Sequence, residues 1–164
     1  MPRNRPGDLR AGRPPRTPAE PPPRTPVDPP PVRRLHGLSW RTSLAIARVE
    51  TASGDYDLFP GATDRALRRY RGFLRPPGRR PRYPREAGCA CRSCAFDDVR
   101  HARDVLDSVL RRLPPAPRAE LGLRVRALDA EYLARTLPDP FAVRRQWRAD
   151  LWWRRRLADG NEGR

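Results

Sequence analysis

The chain has 164 residues and a formal net charge of +16, and all 35 of its basic residues are arginine. This length fits one small domain, and the lack of an 18-residue apolar run predicts no membrane-spanning helix. The absence of lysine excludes a phosphate-binding P-loop lysine and a Schiff-base lysine. The basic N-terminus lacks the apolar stretch of a signal peptide, so we expect a cytoplasmic protein.

The N-terminal segment 1–36 is rich in proline and arginine and poor in large apolar residues. Such a segment buries too little surface to offset the entropy cost of ordering it, so it predicts a disordered tail. We expect a single helical domain over 37–160 and a short disordered C-terminus over 161–164. Arginine exceeds the acidic residues in the tail, in 63–88 and in 141–164, which is the pattern expected for a polyanion partner.

The segment 38–60 fits two structures. Ser39 can serve as the N-cap of a helix, and we favour this interpretation because the rest of the chain is helical. The alternative is a short β-hairpin around 42–59 that turns at the sequence ASGD. The predicted helix would place on one face Trp40, Leu44 and Ala47.

Two amphipathic helices are predicted in the middle of the chain. The first, ATDRALRRYRGFLR, begins near Thr63 or Asp64 and ends at the break Pro76–Pro77–Gly78. The second runs from Phe96 to Leu113 and has an acidic start, as the helix dipole favours. Apolar side chains recur at helical spacing as Leu67, Tyr70 and Leu74 in the first helix, and as Val99, Ala102, Leu106, Val109, Leu110 and Leu113 in the second.

Two further helices are predicted after the break LPPAP. Pro117 can open the first of them, and Asp139 can cap the second, which would end at Gly160. Amphipathic helices joined by short proline breaks predict a mainly α fold, a small helical bundle with a cysteine-rich loop. The predicted stripes are Leu121, Val125, Leu128 and Tyr132, followed by Val143, Trp147 and Leu151.

All three cysteines lie in one loop, at Cys89, Cys91 and Cys94, and His101 follows on the next predicted helix. Three thiolates and an imidazole are a common ligand set for structural zinc, and His101 lies off the apolar stripe of its helix. The C-x-C spacing is tighter than usual for zinc, and the alternatives are three reduced, buried cysteines that bind no metal, or cysteines with a redox or disulfide role. Other residues that could supply the fourth ligand are His36, Asp97 and Asp98.

Two basic segments contain aromatic residues as well, a combination suited to phosphate contacts and base stacking. The alternative is an ordinary solvated surface, with the aromatic residues packed inside. The predicted nucleic-acid-binding residues are Arg68, Arg69, Arg71, Arg75, Arg79, Arg80, Arg82 and Arg85 in the first segment, and Arg154, Arg155 and Arg156 in the second.

No catalytic motif is present, and Asp104 and Asp107 follow Arg100 and Arg103 by four residues, which predicts exposed helix ion pairs. We therefore expect a non-enzymatic protein that binds nucleic acid mainly through phosphates and has a structural zinc site. The alternative is a protein–protein adaptor that uses the Pro/Arg tail and a tryptophan-bearing C-terminal helix.

Overall fold

Helices dominate the part of the chain that the computed structural model describes, residues 32–78, 80–85, 87, 89, 91–145, 148 and 150–159. These residues all belong to the unit Pro31–Arg164. They confirm a mainly α helical bundle, with one isolated antiparallel bridge and no β-strand. The predicted tail up to residue 31 and the predicted C-terminus lie outside the described residues, so their disorder stays a prediction. The helices are α1 (Trp40–Ala52), α2 (Ala62–Leu74), the single turn α3 (Arg92–Ala95), α4 (Val99–Arg112) and α5 (Pro115–Arg135).

The predicted helix in 38–60 is confirmed, and the hairpin alternative is wrong. The Ser39 hydroxyl caps α1 by accepting a hydrogen bond from the Thr42 amide at 3.2 Å. The predicted apolar face is wrong, however, because Trp40 is 53% exposed. The face that α1 buries is mostly polar and consists of Thr42, Ser43, Ile46 and Glu50.

Glu120 of α5 explains why polar residues at the start of α1 can be buried. Its carboxylate accepts hydrogen bonds from the Ser39 amide at 2.5 Å, the Ser39 hydroxyl at 2.7 Å and the Thr42 hydroxyl at 2.5 Å. The Thr42 and Ser39 hydrogen bonds hold the pKa of Glu120 below its usual range. A charged acceptor thus satisfies donors that burial would otherwise leave without partners.

Glu50, near the other end of α1, caps the next helix. Gly61 precedes α2 at φ +89° and has no side chain to accept from the free amides of the first turn. The Glu50 carboxylate accepts from the amides of Gly61 and Thr63, both at 2.7 Å. The cap therefore comes from the preceding helix and not from the local sequence.

Helices α2 and α4 match their predicted stripes. The apolar positions predicted for α2 are all buried, and α4 buries its predicted positions except Leu110, which is half-buried. Helix α4 begins three residues later than predicted, because the Asp98 carboxylate accepts from the Arg100 amide at 2.8 Å and caps the helix there. Phe96 lies in the preceding turn and is buried.

The two predictions for the C-terminal part need correction. Helix α5 begins at Pro115, not at Pro117. The predicted last helix is wrong: two single 3₁₀ turns, Ala142–Arg144 and Trp152–Arg155, take its place, and Val143 is 82% exposed. Trp147 and Gly160 lie outside the described residues.

The chain doubles back in this region, which a continuous helix could not do. The amide of Asp139 donates to the carbonyl of Arg155 at 3.0 Å, and the amide of Leu157 donates to the carbonyl of Leu137 at 2.8 Å. Asp139 does act as a cap, but of a turn, since its carboxylate accepts from the Phe141 amide at 2.8 Å.

Arginine side chains cap the C-terminal ends of three helices. Arg135 donates to the carbonyl of Leu74 at 2.5 Å at the end of α2, and Arg118 donates to the carbonyl of Leu113 at 2.7 Å just after α4. Arg156 donates to the carbonyl of Leu133 at 3.1 Å near the end of α5. The last carbonyls of a helix lack partners within it and carry partial negative charge, so the guanidinium satisfies both needs.

A buried ion pair lies between α4 and α5. Arg103 donates to the two carboxylate oxygens of Asp129 at 2.9 and 3.0 Å, and both residues are less than a tenth exposed. The Tyr70 hydroxyl of α2 donates to the same carboxylate at 2.8 Å, and burial with Asp129 beside it raises the pKa of Tyr70. The Arg103 guanidinium also lies 4.2 Å from the ring centre of Trp153. This network joins three helices and the C-terminal segment.

The predicted pairing of Arg100 with Asp104 is wrong. Arg100 is buried and contacts the Asp98 carboxylate, with its Nη2 atom 2.9 Å from Oδ2. Asp104 instead accepts from the Trp153 indole nitrogen at 2.7 Å and pairs with Arg154. The predicted Arg103–Asp107 pair exists at 3.8 Å, but Arg103 is buried and not exposed.

We expect Asp129→Ala to lower the free energy of unfolding by about 3–5 kcal/mol, because Arg103 would remain buried without its carboxylate. Tyr70→Phe removes one neutral donor to the same carboxylate and should cost about 1 kcal/mol. Urea unfolding followed by circular dichroism measures both.

The matched control is Asp159→Ala, which removes the exposed partner of Arg85 and should cost less than about 1 kcal/mol. Equal losses for Asp129→Ala and Asp159→Ala would contradict a stabilising role for the buried pair.

Candidate metal centre and basic surface

The three cysteines meet at the start of the short helix α3. Cys91 is the N-cap of that helix, and its Sγ accepts a hydrogen bond from the Cys94 amide at 3.4 Å. The Sγ atoms of Cys89, Cys91 and Cys94 all lie within 4.8 Å of one another, and those of Cys89 and Cys91 are 2.9 Å apart. None of the three forms a disulfide. The local turn, and no distant element, brings the sulfurs together.

The chemistry of this cluster suits a soft divalent cation. Hydrogen bonds to Cys91 and Cys89, and the charges of those two groups, raise the pKa of Cys94 to about 12. The Cys94 thiol is therefore hard to ionise by itself, whereas a metal ion held by thiolates would stabilise its charged form. In a tetrahedral site with metal–sulfur bonds of about 2.3 Å, sulfurs lie about 3.8 Å apart, so the three could bind one metal ion after a small adjustment.

His101 does not belong to the group of three sulfurs, but it lines a cavity that Cys89 also lines. Its ring packs edge-on against Phe96 at 5.1 Å between ring centres, and its Nε2 lies 3.7 Å from a carboxylate oxygen of Asp57. That Nε2 atom is buried and has no hydrogen-bond partner. The cavity has a volume of about 410 Å³, and its lining includes both Cys89 and His101. His101 thus lies between the buried ring of Phe96 and the cavity beside the cysteine loop.

The other residues considered for a fourth ligand are placed differently. The Asp98 carboxylate is occupied by Arg100 and by the cap of α4. Asp97 is exposed, and its carbonyl accepts from Arg69. His36 is also exposed, in the turn that precedes α1.

The arginines predicted to bind nucleic acid fall into two groups. In the first group the guanidinium contacts the protein itself: Arg69 donates to a backbone carbonyl, and Arg82 lies 5.0 Å from the ring centre of Phe73. Arg154 pairs with Asp104, and Arg156 donates to Thr136 at 2.8 Å. These four side chains help to hold the fold together.

The second group is open to solvent. Arg75 and Arg80 are exposed, while Arg68 and Arg85 are exposed but have acidic partners, Asp64 at 2.9 Å and Asp159 at 2.6 Å. Arg71 and Arg155 are partly exposed, and Arg79 lies outside the described residues.

The aromatic residues in the basic segments offer little surface for stacking. Tyr70 and Phe73 are buried in the core, as is Trp153, and Trp152 is half-buried. Tyr83 is 40% exposed. The packed-core alternative therefore holds for most of these residues, and contacts to phosphates are better supplied than contacts to bases.

A cluster of three arginines lies where α2 and α5 approach the turn before α1. Burial lowers the pKa of the Arg71 guanidinium, and the positive charges of Arg124 and Arg75 lower it further, against the opposite effect of Asp64. Arg71 donates weakly to the His36 carbonyl at 3.5 Å, and Arg124 donates to the Gly37 carbonyl at 3.2 Å. We call Arg71, Arg75 and Arg124 the arginine cluster. Sequence reasoning missed Arg124, because only the packing of α5 brings it here.

Comparisons with known proteins do not identify this chain. No protein family matches it, and neither the curated proteins nor the solved structures give a match. None of the described helices is long and apolar enough to cross a membrane.

Gly37→Ala tests how the arginine cluster is positioned. Gly37 has φ +79°, and a Cβ there would lie 1.7 Å from an Arg124 guanidinium nitrogen. We expect a loss of about 1–2 kcal/mol in unfolding free energy from the left-handed backbone, and displacement of the Arg124 side chain. Urea unfolding measures the first effect, and the NMR signal of the Arg124 Nε–H group reports the second.

Gly61→Ala is the matched control, since Gly61 has φ +89° and open space around the new Cβ. It should lose a similar amount of stability and leave the Arg124 signal in place. An unchanged Arg124 signal in Gly37→Ala would contradict the packing of this guanidinium against the turn.

Proposed function

We propose that this is a non-enzymatic protein that binds nucleic acid through phosphate contacts and has a structural metal site in its cysteine loop. The observation that carries this proposal is the arginine cluster. Burial lowers the pKa of Arg71, and the positive charges of Arg124 and Arg75, which repel its guanidinium, lower it further. An anionic phosphate placed among them would relieve that repulsion.

The N-terminal segment adds further positive charge to the chain, since six more arginines precede residue 32. Guanidinium contacts to phosphates give affinity without sequence preference. Most aromatic residues of the two basic segments are buried or half-buried, so we expect binding that depends on charge far more than on base sequence.

Binding of a labelled single-stranded oligonucleotide, measured by fluorescence anisotropy over a range of salt concentrations, tests the proposal. We expect log K to fall linearly with log salt, by about 0.7–0.9 for each phosphate contact. Arg75→Ala with Arg124→Ala should weaken binding and reduce that slope by about 1–2. An affinity indifferent to salt would overturn the phosphate-contact mechanism.

The matched control removes two arginines that already have acidic partners, Arg111 and Arg112. Arg111 lies 2.5 Å from Asp107, and Arg112 lies 3.3 Å from Asp55. Arg111→Ala with Arg112→Ala loses the same formal charge but should change the slope less. Equal effects of the two double variants would mean that net charge matters and the arginine cluster does not.

For the metal site we propose zinc held by Cys89, Cys91, Cys94 and His101. Three thiolates and one imidazole complete a tetrahedral structural site. The support for His101 is that its Nε2 has no hydrogen-bond partner and that it lines a cavity together with Cys89. Such a site would fasten the cysteine loop to α4.

Protein purified without a metal-affinity resin should contain one zinc per chain by mass spectrometry. Cys94→Ala and His101→Ala should each lose the metal and lower the melting temperature. His36→Ala, which removes the other histidine of the chain, is the control and should keep the zinc. Metal-free wild-type protein with cooperative melting would overturn the zinc proposal.

The adaptor alternative has less support. It depended on a tryptophan-bearing C-terminal helix, and the described part of that segment forms 3₁₀ turns in which Trp153 is buried. A protein that co-purifies with a stoichiometric protein partner, without excess absorbance at 260 nm, would favour it.

A further inference from the structure

Helix α5 carries apolar side chains on two opposite faces. One face packs into the core through Leu121, Val125 and Tyr132, which are each no more than 1% exposed. A helix that packs on one side only is normally polar on the other side. On α5 the opposite side consists of exposed apolar residues, and we call it the outer face: Ala116, Ala119, Leu123, Ala127, Ala130 and Ala134.

The outer face includes or borders large apolar residues as well as alanines. Leu123, at its centre, is 64% exposed, and Leu133, at its edge, is 46% exposed. Leu137, just after the helix, is 41% exposed. Three large exposed leucines on or next to one helix leave considerable apolar surface in water, which costs free energy unless a partner covers it.

Charged residues border the outer face. At about 100° per residue, Arg124 and Glu131 lie only about 20° apart along one edge, and Arg126 lies on the other edge. An apolar strip with charged edges is typical of a helix that pairs with another helix, where the edges determine partner and direction.

We infer that the outer face binds a second copy of the chain, with the two α5 helices antiparallel. Reversal of the strip about a point between residues 126 and 127 brings four of its six residues onto one another. Leu123 then lies opposite Ala130 of the partner subunit, and Ala119 lies opposite Ala134 of the partner subunit. The one large side chain of the strip thus meets a small one, which allows close approach without a clash.

The charges agree with this direction. In an antiparallel pair, like edges face each other, so Arg124 lies near Glu131 of the partner subunit, and the same contact occurs twice. A parallel pair would instead set Arg124 beside Arg126 of the partner subunit, where the like charges repel. The antiparallel pair also brings Arg126 beside Arg126 of the partner subunit, but its two attractive Arg124–Glu131 contacts outweigh that single repulsion, whereas the parallel pair has two repulsive contacts and no such attraction.

The N-terminal segment is a poor alternative occupant. Residues 1–31 contain no aromatic residue and no isoleucine, and their large apolar residues are one methionine, one leucine and one valine. They cannot fill a strip that spans most of a helix of 21 residues, about 31 Å long. A helix pair of this length gives an interface at the low end of the usual size range, so we expect a weak dimer that depends on concentration.

Sedimentation equilibrium of the full chain, freed of nucleic acid and held in about 0.5 M NaCl to suppress charge-mediated bridging, tests the inference. Between about 5 and about 300 µM, the average mass should rise from 18.8 kDa towards twice that value. A mass of one chain at every concentration would overturn the dimer.

Leu123→Glu places a charge in the middle of the outer face and should weaken the dimer roughly tenfold or more. Val143→Glu makes the same kind of change at a residue that is 82% exposed and outside α5, and it should leave the dimer intact. Equal effects of these two variants would overturn the assignment to the outer face.

Glu131→Arg and the charge exchange Arg124→Glu with Glu131→Arg test the direction of pairing at lower salt. The single change should weaken the dimer and the exchange should restore it; failure of the exchange to do so would overturn the antiparallel arrangement. The inference does not depend on the proposed function, because a monomer that still binds oligonucleotides with a salt-dependent affinity would remove the dimer alone.

Discussion

The bundle depends on a guanidinium group placed where most proteins would place an apolar side chain. Removing the positive charge of Arg103 from water requires a counter-charge, and Asp129 supplies it with both carboxylate oxygens. The Tyr70 hydroxyl and the Trp153 ring complete the surroundings of the pair. Because the pair is hydrogen-bonded on several sides, the spacing of α2, α4 and α5 is fixed by geometry and not only by apolar contact.

Charged side chains satisfy backbone groups elsewhere in the fold as well. Carboxylates from neighbouring helices cap α1 and α2, and guanidinium groups cap the C-terminal ends of three helices. A chain without lysine relies on a planar side chain with five donors, which can satisfy several carbonyls at once. Many of the arginines therefore stabilise the fold. The arginines open to a phosphate, among them the arginine cluster, are fewer than the net charge of the chain alone would indicate.

Periodicity in the sequence was enough to predict α2, α4 and α5, because each buries apolar residues at helical spacing, whereas α1 was predicted from the Ser39 cap and the helical character of the rest of the chain. Periodicity failed for the buried face of α1, where polar side chains are stabilised by partners distant in sequence: Glu120 accepts from Thr42, and Glu50 accepts from the amides that begin α2. It failed again after Asp139, where Val143 belongs to a turn, because backbone pairing between 137–139 and 155–157 outweighs helical spacing.

The candidate sites also differ in how far the local sequence predicts them. The meeting of three sulfurs follows from a single local turn, so spacing alone predicted it. The arginine cluster could be predicted only in part, since Arg71 and Arg75 lie four residues apart on α2 but Arg124 arrives with α5. Exposure of an arginine was the least predictable property, because Arg69 and Arg82 are drawn onto carbonyls and rings that the sequence does not place.

The buried network also bears on how the chain folds. Tyr70 and Asp129 are 59 residues apart, Asp104 and Trp153 are 49 apart, and Ser39 and Glu120 are 81 apart. Helical bundles usually fold fast because most of their contacts are local. Here the charged groups find their partners only after long loops have closed. Until then, the charged side chains of α4 and α5 stay hydrated. Secondary structure should therefore form well before the native core, which has to wait for the closure of these loops.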